Sequence, residues 1–242
     1  MILDLLAAND SRETLVFHLP FYLKAVLLTY DKQAFCYDFN VSRETADRLE
    51  IYRDLLVKWQ KVQNLVAPNT LEHVWSRHFA DSAQLLPHLG SEPGTSHNLV
   101  DMGAGGGFPG LVLAILMMDQ PLWTVHLVEA NGRKCAFLRD VARSTGANVE
   151  IHNCRIEEFA NESTIPSIDV VTARALKPLH LLLDLGSFAF SCGAMGLFLK
   201  GKTFDHELEE ARRSWEFEAL DFASQTDVDG RIVKIFNVQP KA

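Results

Sequence analysis

From Asp101 to Gly110 the chain reads DMGAGGGFPG, with five glycines in the eight positions from Gly103 to Gly110. Backbone this bare can turn with φ > 0 and admits a ligand with no Cβ in the way. Two chemistries share the letters. Gly105, Gly107 and Gly110 spell the GxGxxG of a dinucleotide site, with Glu129 nineteen residues after Gly110 where a ribose-binding acid belongs. Asp101, Gly103, Gly105 and Gly107 spell instead the acid-led DxGxGxG of an S-adenosylmethionine site, closed by the same Glu129. A pyrophosphate wants free N–H groups at a helix start and no anion close by. Here Pro109 removes one donor and Asp101 brings a carboxylate. A ligand carrying a sulfonium and an ammonium tolerates that carboxylate, so the charges favour the methyl donor. A dinucleotide and a purely structural turn are the alternatives. In both ligand readings Glu129 holds the ribose hydroxyls.

Such a turn must sit where a strand enters a helix, and the pattern supplies both. Residues 98–102 (NLVDM) read as a buried strand and 109–118 as a helix; strand 124–129 and helix 131–144 follow, then strands 148–152 and 168–172, helix 178–190 and strand 194–199. Alternating units with continuous apolar strands predict an α/β fold with a mainly parallel sheet covered on both faces. The tail, helix 205–214 and then WEFEALDF and RIVKIFNV around the turn VDG, predicts an antiparallel hairpin closing that sheet. Ahead of it, residues 41–65 place Leu49, Tyr52, Leu55, Leu56, Trp59 and Val62 at helical spacing behind a partial capping box at Ser42 and Thr45. Residues 70–89 read as a second helix and GSEPGTS, 90–96, as the internal boundary. The expected organisation is an extension (1–40), a helical segment (41–90) and a sheet domain (97–242), the last two packed as one unit.

The chain has 242 residues, 48% apolar and 22% charged, and a formal charge of −8, which argues against coating nucleic acid through bulk positive charge. Cys36, Cys135, Cys154 and Cys192 are scattered, with no CxxC pair and no His at metal-ligand spacing, so no disulfide framework and no metal site is expected. A reducing cytoplasm fits. LVFHLPFYLKAVLL, residues 15–28, is shorter than the roughly 20 residues of a membrane span, is interrupted by His18, Pro20 and Lys24, and follows no basic stretch. It reads as a short core or interface helix broken at Pro20, and no membrane association is expected.

Several stretches together carry a more specific resemblance. WQKVQNL (59–65), HFADS (78–82), DMGAGGGFPGLVLAI (101–115), VEANGRKCAFLRDV (128–141), CRIEEF (154–159), VVTARALKPL (170–179) and LFLKGK (197–202) resemble the bacterial small-subunit ribosomal RNA guanine-N7 methyltransferases, also known as glucose-inhibited division protein B. The likeness spans about residues 45 to 238. It implies a class I methyltransferase fold, Rossmann-like, with a seven-stranded sheet. It also implies S-adenosylmethionine as donor, leaving S-adenosylhomocysteine, and a guanine in the decoding-region loop of 16S rRNA, free or in the small ribosomal subunit, as acceptor. Carried over by position, the donor contacts fall on Gly103, Phe108, Ile156, Glu157 and Arg174. The first 40 or so residues have no counterpart in the pattern, and Lys134 is followed by Cys135 rather than a second basic residue.

Guanine N7 already holds an in-plane lone pair, so methyl transfer needs no proton removed and no general base. Catalysis then reduces to positioning and electrostatics. Arg155 and Arg174 follow strand ends on the ligand side and are the candidates to meet a base edge, with a surface ion pair as the alternative for each. Lys200 and Lys202 fit phosphate contacts or a solvated loop. Arg133, Lys134, Arg139 and Arg143 share one helix, as a basic ridge or an ordinary charged face. His78, Asp81 and Ser82 have no assigned step. The competing functions are an NAD-dependent oxidoreductase and a non-catalytic ribosome-assembly or cell-division factor.

Overall fold

A computed structural model describes residues 30–90, 95–119 and 122–241; the stretch 15–28 read above as a short helix lies outside them. Seven strands, β1 (His97–Met102), β2 (Trp123–Val128), β3 (Val149–His152), β4 (Val170–Arg174), β5 (Met195–Lys200), β6 (Trp215–Ala223) and β7 (Arg231–Pro240), form one sheet in the order β3-β2-β1-β4-β5-β7-β6. The first five run parallel, β7 pairs antiparallel with β5, and β6 with β7. The apolar runs of β1, β2 and β4 are buried along most of their length because helices cover both faces. The order reverses at β1, where the chain goes to β2 on one side while β4 returns on the other, and that is where an open α/β sheet leaves its crevice.

One face is covered by α1 (Lys32–Phe39), α2 (Arg43–Gln60), α3 (Gly110–Leu116) and α4 (Gly132–Thr145), the other by α5 (Ile156–Glu162), α6 (Leu179–Leu185), α7 (Ser187–Phe190) and α8 (Phe204–Ala211). Leu49, Tyr52 and Leu56 of α2 join Leu111, Leu127 and Phe137 in a single core, so the helical segment and the sheet share one interior. Phe35 of α1 is fully buried against Trp75, which places the end of the expected extension inside this layer.

Local chemistry sets the element ends. Ser42 Oγ accepts from Thr45 N at 3.1 Å to start α2, and Asn131 Oδ1 accepts from Arg133 N and Lys134 N to start α4. Helix α2 stops at Gln60 rather than 65, because the Gln60 carboxamide folds back on Leu65 N, Val66 N and Val66 O. Residues 70–89 do not form the expected helix: a 3-10 turn (Pro68–His73), a π-helical turn (Trp75–Ala80) and the short helix Asp81–Ala83 replace it. Helix 178–190 is broken at Gly186, where a Cβ would lie 2.6 Å from the Phe190 ring. Helix α5 follows β3 where the sequence pattern predicts no element.

Candidate functional site

A cavity of about 680 Å³ opens at the carboxyl ends of β1, β2 and β4. Its lining includes Gly103, Gly105, Phe108, Glu129, Ile156, Glu157 and Arg174, with Lys134 and Arg155 beside them. Residues at or just beyond the carboxyl ends of β1, β2, β3 and β4 thus converge on one pocket of ordinary small-ligand size. Arg133, Lys200 and Lys202 line no part of it.

The turn itself is built from below. Gly103, Gly105 and Gly107 have φ of 67°, 57° and 87°, the left-handed region that a side chain rarely adopts. Asp101 is buried under the turn rather than facing the cavity: Oδ2 accepts from Gly110 N and Oδ1 from Thr172 Oγ1, both at 3.0 Å. Its expected place among the ligand contacts is therefore corrected to a brace joining β1, β4 and the start of α3. Burial pushes its carboxyl up to about 7, against the pull of those two hydrogen bonds. Gly107 is likewise outside the lining; a Cβ there would meet the Tyr52 hydroxyl and Leu111.

The backbone donors decide which ligand the turn suits. Ala104 N donates to Val128 O, Gly105 N to Glu129 Oε2 (2.9 Å), Gly107 N to Ala104 O, Gly110 N to Asp101 and Leu111 N to Gly107 O, while Pro109 has none. A pyrophosphate would find these N–H groups already occupied, two of them by carboxylates. Glu129, half-buried at the end of β2, also accepts from Asn131 N at 2.8 Å, which holds its carboxylate on the cavity wall. A cationic, phosphate-free ligand with ribose hydroxyls fits this donor and acceptor set.

Arg174 ends β4 between this cavity and a second one of about 310 Å³, lined by Thr70, Arg77, His78, Asp81, Lys200 and Arg231 among others. Its Nη1 donates to Asp81 Oδ2 and Arg77 O (each 3.2 Å), its Nη2 to His78 Nδ1 (3.0 Å), and its guanidinium carbon lies 4.8 Å from the Phe108 ring centre. The expected ion pair is real, and it orients the side chain toward the cavities. His78 stacks on Phe108 with centroids 4.7 Å apart, and burial, aided by the charges of Arg174 and Arg77, lowers its pKa to about 3. A neutral His78 that accepts at Nδ1 carries its proton on Nε2, facing Thr70 Oγ1 at 2.8 Å. Ser82 Oγ donates to His78 O at 2.7 Å. His78, Asp81 and Ser82, left without a role by the sequence, thus form the mount of Arg174.

Lys200 is corrected as a phosphate contact: its side chain is 7% exposed, and its ammonium pairs with Glu207 at 2.6 Å and donates to Lys177 O. Lys202 and Arg133 are exposed but off both cavities, and Arg143 pairs with Asp140 at 2.6 Å, which leaves Lys134 as the cavity-lining member of the supposed ridge. Missed from sequence were Tyr52, whose hydroxyl donates to Gly106 O, and Ala175, which lines both cavities with φ of 50°. The helical spacing marked Tyr52 as a core residue and carried no hint of its polar end.

The family model described as "GidB: rRNA small subunit methyltransferase G" matches residues 45–231. The Ribosomal RNA small subunit methyltransferase G of Parvibaculum lavamentivorans is 47% identical over 205 residues, 85% of this chain and 88% of that one. That of Rhodospirillum centenum is 48% identical over 203 residues, 84% and 89% of the two chains. Among solved structures, the O-methyltransferase TomG from Streptomyces achromogenes, in complex with SAM, superposes over 89% of this chain and 94% of its own with a TM-score of 0.53 at 11% identity, a likeness of fold.

Proposed function

The chain belongs to the rRNA small subunit methyltransferase G family, and from that premise we propose that it transfers a methyl group from S-adenosylmethionine to N7 of a guanine in the decoding-region loop of 16S rRNA, in the cytoplasm. The observation that carries the donor assignment is the pair of carboxylates at the turn, Glu129 on Gly105 N and Asp101 on Gly110 N, with Ala104 N and Gly107 N bonded to backbone carbonyls, which suits a sulfonium donor and disfavours a dinucleotide. Gly103, Gly105, Phe108, Glu129, Ile156 and Glu157 hold the donor, with Glu129 on the ribose. When bound, it would supply an electrophilic methyl on its sulfonium sulfur, which leaves as the neutral thioether of S-adenosylhomocysteine.

The chain's own part is to present the acceptor. Arg174, fixed between the two cavities by Asp81 and His78, faces the space a planar base would enter. A guanidinium offers donors that match guanine O6, while N7 stays free for the methyl. His78 stays neutral at physiological pH and removes no proton, in keeping with an acceptor that needs no base. Lys134, Arg155 and Lys177 at the donor cavity, with Arg231 at the second, supply local positive charge for the RNA backbone on an acidic chain.

Calorimetry with S-adenosylhomocysteine and with NADH tests the donor assignment. Binding of the first and none of the second is expected, and the reverse overturns it.

A further inference from the structure

We propose that His126, Glu150 and His152 form a divalent-cation site of the zinc class at the β2–β3 edge of the sheet, distinct from both cavities. The sheet register makes it. Strands β2 and β3 pair His126 with Glu150 and Val128 with His152, and residues two apart on a strand share a face, so all three side chains meet on one side. His126 Nδ1 lies 3.2 Å from His152 Nε2 and 3.5 Å from Glu150 Oε2, and the last two atoms are 4.0 Å apart. A tetrahedral zinc ion with bonds of about 2.0–2.1 Å separates its ligands by about 3.3 Å. Three edges of that tetrahedron are already approximated.

The surroundings prepare the inner ligand. Asn98 Nδ2 donates to Ser167 O at 2.8 Å, which turns its Oδ1 toward His126 Nε2 at 3.2 Å. A carboxamide oxygen there requires the proton on Nε2 and leaves His126 Nδ1 as a bare lone pair pointing at the other two ligands. An outer acceptor that sets the tautomer of a ligating imidazole is a recurrent feature of such sites. His152 binds through Nε2 as its Nδ1–H tautomer, a proton shift within the ring. His126 is buried, His152 half-buried and Glu150 exposed, so the ion has an entry path and a fourth position for water. Two imidazoles and a carboxylate select zinc and its neighbours over magnesium or calcium, which prefer all-oxygen sets. The ion would clip the four-residue edge strand β3 to the sheet.

The alternative for the same atoms is a His126–His152 hydrogen bond with Glu150 nearby. The test is a titration of the full chain, stripped with a chelator, with Co²⁺ followed by visible spectroscopy and with Zn²⁺ by calorimetry. His152→Gln and Glu150→Gln serve as comparisons, because both side chains reach solvent and their loss leaves the core intact; equal chelator-state melting midpoints check this. One Zn²⁺ per chain, tetrahedral Co²⁺ bands, a zinc-raised melting midpoint and at least about tenfold weaker zinc binding in each variant are expected. Absence of the bands, or variants that bind zinc as tightly as the parent, overturns the site.

Discussion

With its guanidinium bonded to Asp81, His78 and the Arg77 carbonyl, Arg174 has lost much of its rotamer freedom before any ligand arrives. Lysine can reproduce the charge but not the planar fork. Arg174→Lys is therefore expected to lower kcat for rRNA methylation on the order of 10²-fold, the scale of one lost preorganised donor, while S-adenosylhomocysteine still binds. Unchanged turnover would remove Arg174 from the acceptor side. Asp101 gives a prediction of opposite kind. Its folded carboxyl titrates near 7 and an unfolded one near 3.8, so between those values the native state holds a proton that the unfolded state has released, and its contribution to stability falls as pH rises through that window. Asp101→Asn can keep an oxygen for Gly110 N and offer an amide hydrogen to Thr172 Oγ1. Urea unfolding should show the parent losing stability relative to this variant from pH 4 to 7, and a constant difference would refute the raised pKa. The acid at position 101 was legible as part of a motif; that it faces inward was not, because a strand-end residue points to either face depending on register.

At the scale of elements, the donor turn and helix α2 are one device. Tyr52 stacks on Phe108 at 5.3 Å and donates to Gly106 O, so a helix remote in sequence holds the glycine turn in shape. Tyr52→Phe leaves a buried carbonyl unpaired, which should cost about 1–3 kcal/mol in urea unfolding and weaken S-adenosylhomocysteine binding in parallel. Loss of stability with no change in affinity would separate the two elements. Gly107→Ala should cost more than about 1 kcal/mol, since its φ of 87° is strained for alanine and a Cβ would lie 3.0 Å from Leu111 Cβ. Periodicity made the parallel strands, the C-terminal hairpin and α2 readable, because each has a single apolar face or is buried on both. It failed at residues 70–89, where apolar spacing suits a helix but the backbone widens into a π-helical turn around buried His78, a pattern often found at functional sites. Helix α5 went unread because IEEFANE buries little beyond Phe159.

For the whole molecule, a chain of charge −8 must meet RNA through a small basic area. With some three to five phosphate contacts, the logarithm of affinity should fall against the logarithm of salt with a slope of about −2 to −4, and Lys177→Ala should reduce its magnitude by about 1. A slope near zero would mean recognition without the phosphate backbone. Charge totals could exclude bulk coating from sequence alone, whereas the burial of Lys200 against Glu207 depends on α8 folding back beside β5 and shows only in three dimensions. The same holds for His126, Glu150 and His152, whose ligand set spans two strands and has no linear spacing to find. The proposed reaction alters one atom of one base. Mass spectrometry of 16S rRNA from cells with and without the gene measures it directly: N7-methylguanine in the decoding-region loop should be present with the gene and absent without it, restored by the parent chain and not by one lacking the donor turn. Persistence of that methyl group in the deletion would show that another enzyme makes it and that this chain does not.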